Sequence, residues 1–217
     1  MTVYPKLAHA MLSDPDRRML LEESGLDPDV VAERGYFTAR RGEDVPQDRG
    51  ELPARPGLVI PMFSPDGITR SYQLRPHRKG KGPKYWTPAR SKVIVDVHPR
   101  MLEEVRHGDG DLWITEGCKK GDALTSRGLA AISLTGVWMW CVPKERPYRL
   151  KACFDHVRLD RQVYVVFDND VMVKAEVQQA LEALVYALEG RGAEVLVVYL
   201  PPGEEKGVDE FLAGGAS

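Results

Sequence analysis

Four acidic residues stand just beyond short apolar runs. Glu116 follows Leu112–Thr115, Asp168 and Asp170 follow Gln162–Phe167, and Asp209 follows Val195–Leu200 across the loop Pro201–Val208. Carboxylates gathered at close range raise one another's pKa unless a cation neutralises them. Oxygen ligands without histidine or cysteine suit a hard cation. Mg²⁺, with Mn²⁺ as its substitute, is the usual choice where phosphates are also bound. Any one such acid is more often a helix cap or a solvated turn residue, but four at matching positions favour a metal site. Asp122 divides evenly between that site and an exposed helix face. Gly117 follows Glu116 at a strand-to-helix turn and allows close backbone approach by a ligand.

The cations form a second pattern. Lys119 and Lys120 fall in the first turn of an expected helix, where they oppose the macrodipole by on the order of 0.3–1 kcal/mol each. An arriving phosphate would reverse that sign; otherwise both point into water. From Arg70 to Lys92 the chain has eight lysines or arginines and no acid, although the whole sequence has a formal charge of −2. Local charge matters more than the total for nucleic-acid contact. Arg75, Lys79, Lys81 and Lys84 are the candidate phosphate contacts, and Tyr85 and Trp86 lie beside them as candidate stacking residues. Trp138 and Trp140 read as core or interface residues. Cys118, inside the Glu116 turn, reads as a small filler thiol, with a reactive cysteine as the alternative.

The elements that must position these groups follow from periodicity. Residues 1–41 read as helical, with Leu7, Met11 and Leu12 on one face and Asp27-Pro28 starting a short helix that Gly35 stops. Glycines and prolines over 42–57 mark a linker. Leu58–Phe63 and Ser71–Arg75 are strands about the Pro65-Asp66-Gly67 turn, and Lys84-Tyr85-Trp86 is a third short strand. From 111 onward apolar strands alternate with helices, and the stripe Val177, Ala180, Leu181, Leu184, Val185, Leu188 is the clearest helix. That grammar predicts an α/β fold with a four-stranded parallel sheet, flanking helices and right-handed crossovers, preceded by a small α+β subdomain. Ligands of such sheets collect outside the carboxyl ends of the strands, where the four acids fall. The expected segments are 1–41, 42–110 and 111–217.

Several ordered strings resemble the TOPRIM superfamily of primases, topoisomerases and nucleases. They are Trp113-Ile-Thr-Glu-Gly117 with Asp122-Ala-Leu124, Val165-Val-Phe-Asp-Asn-Asp170, and Leu200-Pro-Pro-Gly203 leading to Gly207-Val-Asp-Glu-Phe-Leu212. Ile60-Pro61, Tyr72-Gln73-Leu74-Arg75 and Lys84-Tyr85-Trp86 are similar to the small basic subdomain before the TOPRIM part of phage primases. The string Glu-Gly-x-Lys-Lys-x-Asp-Ala-Leu, with Leu134-Thr-Gly-Val-Trp138, resembles TOPRIM-like proteins of phages, plasmids and integrative elements. The resemblance implies a TOPRIM, Rossmann-like sheet and Mg²⁺-dependent, primase-like nucleotidyl transfer. Glu116 would be a general acid/base or metal-organising carboxylate, Asp168 and Asp170 metal ligands, and Asp209 an outer ligand. It also implies DNA or RNA, a single-stranded template, nucleoside triphosphates and a helicase or other replication partner. Asp122 departs from the pattern, lying two residues further from Glu116 than in phage primases.

Other classes are narrowed by what the sequence holds. Three widely spaced cysteines make no CxxC pair or Cys/His zinc cluster. No GxxxxGK[ST] string is present. No apolar run is long enough to span a bilayer, and no secretory pattern opens the chain, so the expectation is a cytoplasmic protein without membrane contact. Two alternatives share the same acids: a TOPRIM endonuclease, and a non-catalytic TOPRIM module that binds DNA. A topoisomerase would need a longer chain and a tyrosine-bearing domain.

Overall fold

The computed structural model describes residues 12–46, 52–78, 82–88, 91, 95–169, 174–201 and 207–215. Asp170, Lys79, Lys81 and the start of the first expected helix, with Leu7 and Met11, lie outside the described residues.

Helix α1, Asp14–Arg18, is capped by Ser13 and runs into a π-helical turn over Met19–Glu23. Helix α2, Pro28–Arg34, begins as its sequence predicts. The Asp27 carboxylate accepts from the Asp29 and Val30 amides, and Gly35 closes the helix in the left-handed conformation at φ 77°. Strand β1, Phe37–Ala39, then departs from the helical reading of residues 1–41. Three residues are too few to show a period of two, and only their pairing with the next strand makes them a strand.

β2, Gly57–Phe63, and β3, Arg70–Pro76, form the expected hairpin, so β1, β2 and β3 make a small antiparallel sheet. At its turn Asp66 accepts from the Ile68 and Thr69 amides, both at 2.7 Å. The strand expected over Lys84–Trp86 is reduced to a single bridge, Leu74 to Trp86.

β4, Val95–Val97, α3, Leu102–His107, and β5, Leu112–Glu116, lead into the second sheet. α4, Cys118–Thr125, β6, Ala130–Leu134, β7, Gln162–Val166, α5, Ala175–Glu189, β8, Glu194–Val198, and α6, Val208–Ala213, complete it. The strand order is β4-β6-β5-β7-β8. Four strands are mutually parallel as expected, but the sheet is mixed and five-stranded, because β4 adds antiparallel to β6. Asp96 in the middle of β4 interrupts its apolar pattern, and a fully buried carboxylate there depends on a partner from elsewhere in the chain. Strand pairing crosses the expected segment boundaries, joining β1 to β2 and β4 to β6.

Apolar side chains fill both faces of this sheet. Ile114, Val163, Val165, Leu184, Leu188, Trp140 and Phe154 pack on the α5 side, and Leu124, Ala131, Val166 and Val208 on the α4 and α6 side. Trp140 is buried, and Trp138 stacks on it at 6.3 Å, as core residues do. Among the described residues no helix is long and apolar enough to cross a membrane.

Candidate lysine–aspartate site at the sheet edge

The turn from β5 into α4 builds the site. Glu116 ends β5 beside Leu134 of β6, and Gly117 takes φ 87°, with nothing within 4 Å of where a side chain would start. Its amide donates to the Leu134 carbonyl at 2.9 Å, and the chain enters α4 at Cys118. Gly121 lets that helix lie against β6, since a Cβ there would come within 2.1 Å of Ser133 Oγ. Lys119 and Lys120 are thereby held at the carboxyl edge of the sheet.

Neither lysine points into water. Lys119 Nζ lies 2.8 Å from Asp209 Oδ2 and also donates to Ser24 Oγ. Lys120 Nζ lies 2.5 Å from Asp168 Oδ1, an ion pair without the angular geometry of a hydrogen bond. Asp209 is buried, and burial alone would raise its pKa, but Lys119, Lys120 and a Ser24 hydrogen bond hold it below the usual carboxylate range. Gly207 closes the group. A Cβ at that position would sit 2.7 Å from Asp209 Oδ1 and 3.2 Å from Asp168 Oδ1, so the two carboxylates converge on one small space.

The structure thus brings together Asp168, Asp209, Lys119 and Lys120. Glu116 stands on the same edge: Thr115 is level with Val166, the last residue of the adjacent strand, and Asp168 lies two residues past that strand's end. The pleat gives Glu116 the parity of Leu112 and Ile114, which face α5, while Asp168 is tied to α4. Among the described residues no three acidic, histidine or cysteine side chains form a ligand cluster.

The basic hairpin reaches this edge. Lys84 is exposed, yet its ammonium is held below the usual lysine range, first by partial desolvation and then by Arg75, Lys119 and Lys120. Burial raises the Tyr85 phenol, which lies in the field of Arg75, Asp209 and Asp168. From Lys84 a cleft of about 760 Å³ runs along α1 and β3, lined by Arg55, Arg75, His77, Arg78 and Trp86, with Asp16 and Glu23 on its α1 side, so cations outnumber acids along it. Trp86 is partly buried against the small sheet's core and presents part of its surface to this cleft.

Asp122 fits neither sequence expectation. It is fully buried and accepts from Arg34 Nε at 2.9 Å and from the Tyr36 hydroxyl at 2.6 Å, with a second contact to Arg34 Nη2. The same guanidinium donates to both oxygens of Asp96, at 2.7 and 3.0 Å, and Asp96 also accepts from the Phe63 amide. Arg34 is held charged against its burial by Asp122 and Asp96, whereas burial outweighs Arg34 at Asp96 and raises its pKa. Cys118 is buried beside this group, and burial pushes its thiol well above the ordinary range, so it is a packed thiol and not a reactive one.

Sequence reasoning missed Arg34, Asp96, His77 and Arg55. An arginine on the buried stripe of α2 beside Val30 and Val31 was the one available signal. Gly207 entered only as the start of the Gly207-Val-Asp-Glu-Phe-Leu212 string, and Ser24 carried no signal.

The fold and this edge define an α/β protein of primase-like architecture. The solved zinc-binding and RNA polymerase domains of the Aquifex aeolicus primase superpose with a TM-score of 0.64 at 19% identity, covering 93% of this chain and 53% of that one. The DnaG catalytic core superposes with a TM-score of 0.59 at 16% identity, covering 91% and 68% respectively. The chain therefore spans about half the length of the Aquifex fragment. Residues 105–217 match the family described as Domain of unknown function (DUF3854), and the chain belongs to that family. No curated protein matches the sequence.

Proposed function

We propose that this chain is a primase-like nucleotidyltransferase that depends on Mg²⁺ and serves replication of a phage or mobile element. One observation carries the reading: the basic cleft and the Lys119/Lys120/Asp168/Asp209 edge meet at Lys84, so a phosphate path ends at carboxylates. The likeness to a primase over nearly the whole chain supports it.

The donor chemistry fits a hard cation in part. Asp168 and Asp209 present oxygens toward one space beside Gly207; Asp170 would complete the set, and Glu116, whose parity faces α5, would have to reach it around the end of β5. When bound, Mg²⁺ would polarise phosphate oxygens and favour ionisation of an attacking hydroxyl. In this reading Glu116 is the acid/base or metal-organising carboxylate, and Asp209 an outer ligand. Lys119 and Lys120 take the nucleotide phosphates. Arg75, Lys79, Lys81 and Lys84 follow a single-stranded template, with Tyr85 and Trp86 beside its bases. The wider setting is cytoplasmic, with a helicase as replication partner.

Single-stranded DNA, ribo- and deoxynucleoside triphosphates and Mg²⁺ or Mn²⁺ test this directly. Primer synthesis lost in Glu116→Gln and Asp168→Asn is the expected result. Template degradation would identify an endonuclease instead. A second reading, a nucleic-acid-binding module without turnover, draws on the lysine that each described rim aspartate already carries. Template binding with no product in either direction would establish it.

A further inference from the structure

A metal site needs carboxylates that are free to accept a metal, and here two of them are engaged. Lys120 Nζ is 2.5 Å from Asp168, and Lys119 Nζ is 2.8 Å from Asp209. Lys120 also crowds the backbone beside both aspartates: a Cβ on Gly207 would come 2.6 Å from Cε of Lys120, 2.7 Å from Asp209 Oδ1 and 3.2 Å from Asp168 Oδ1. A divalent cation arriving alone would have to displace ammonium groups from their carboxylate partners, with no second anion supplied to receive them.

The local balance points the same way. Among the described residues Arg75, Lys119 and Lys120 all lie within Coulombic range of Lys84, as does Asp209, and Asp168 is paired with Lys120, with Glu116 further along the edge. Such a field favours an anion over a bare cation. The choice of lysine is also apt. A compact ammonium on a flexible four-carbon stem can exchange one oxygen partner for another without moving the backbone, whereas a guanidinium held in two parallel bonds cannot.

We infer that Lys119 and Lys120 are resident counter-ions of Asp209 and Asp168, and that a polyphosphate must draw them off before a divalent cation binds. The inference rests on the phosphoryl-transfer reading of this edge and concerns the order of binding, not the reaction. The two ligands are then coupled, because each phosphate oxygen that takes an ammonium frees a carboxylate. Linkage makes that coupling reciprocal, and typical values of about 5–150-fold set its scale.

Binding measurements on the full chain decide it. Mn²⁺ alone, followed by its paramagnetic resonance signal, is expected to bind the native chain weakly. Inorganic tripolyphosphate without metal is expected to bind well in calorimetry. Lys120→Met is expected to tighten Mn²⁺ by about ten-fold or more and to weaken tripolyphosphate by a similar factor. Should that variant not fold, Lys119→Met makes the same prediction at Asp209. Mn²⁺ affinity that is unchanged or weaker in the lysine variants, undetectable binding throughout included, overturns the inference. Primer synthesis is a separate readout. Opposite shifts in metal and phosphate affinity without synthesis would sink the function and keep the binding order, while synthesis with unshifted affinities would do the reverse.

Discussion

Helix α4 carries two kinds of ion pair within five residues. Asp122 belongs to a sealed group in which Arg34 lies between two carboxylates and Tyr36 and the Phe63 amide occupy further oxygens; the side chains of Arg34, Asp96 and Asp122 are 1%, 0% and 0% exposed. Lys119 and Lys120 stand just before it in the same helix, paired with Asp209, which is buried, and with Asp168, which is 32% exposed. The sealed group has a forked cation and saturated oxygens, so it can only hold α2, β4 and α4 together. The edge group has point-charge cations and a carboxylate open to solvent, so its partners can be exchanged. The same kind of ion pair is sealed from water in the first group and partly open to it, at Asp168, in the second.

The sharpest way to break this contrast is Arg34→Met, which strands two buried carboxylates. Loss of about 3–5 kcal/mol in denaturant unfolding is expected, on the scale of breaking a buried pair. A loss comparable to that of an exposed pair would erase the distinction.

Asp168→Asn probes the other side. Its stability should stay within about 1 kcal/mol of the native chain, as for exposed pairs. Mn²⁺ binding in the presence of tripolyphosphate should fall by about 10–100-fold, the range over which metal sites respond to loss of a supporting group. Cooperative unfolding at a much lower denaturant concentration would instead make Asp168 a structural acid like Asp122.

Gly121→Ala tests whether α4 must lie this close to β6 to present both groups. The added methyl meets Ser133 Oγ at 2.1 Å, and overpacking of this kind costs about 1–3 kcal/mol. Combining it with Ser133→Ala should recover part of the loss in thermal melts.

The smallest effect expected is on pH. His98 is buried next to the sealed group, where Nδ1 accepts from the Arg100 amide and Nε2 donates to the Val30 carbonyl, a neutral tautomer. Desolvation lowers its pKa from the ordinary value of 6.5. Below that value the unfolded chain binds a proton that the folded chain resists, so stability is complete above about pH 6.5 and declines as pH falls toward the folded value. Melting curves of His98→Gln should lack this step. Asp209, held below its ordinary value, adds a loss at more acidic pH in the same direction.

Much of this was legible in the amino-acid order. The caps at Asp27 and Gly35, the β2–β3 hairpin, the α5 stripe and the four parallel strands all follow from local period and turn chemistry, which adjacent residues determine. Those signals also put Glu116, Asp168 and Asp209 on one edge of the sheet. Partners were not legible. Arg34 and Asp122 are 88 positions apart and Arg34 and Asp96 are 62 apart, and no repeat links them. β1 and β4 were missed for a related reason: each has three residues and is a strand only because of what lies beside it. Which acid is sealed with arginine and which pairs with lysine at the sheet edge depends on through-space distance and exclusion of solvent, and the chain acquires both only when its distant segments pack.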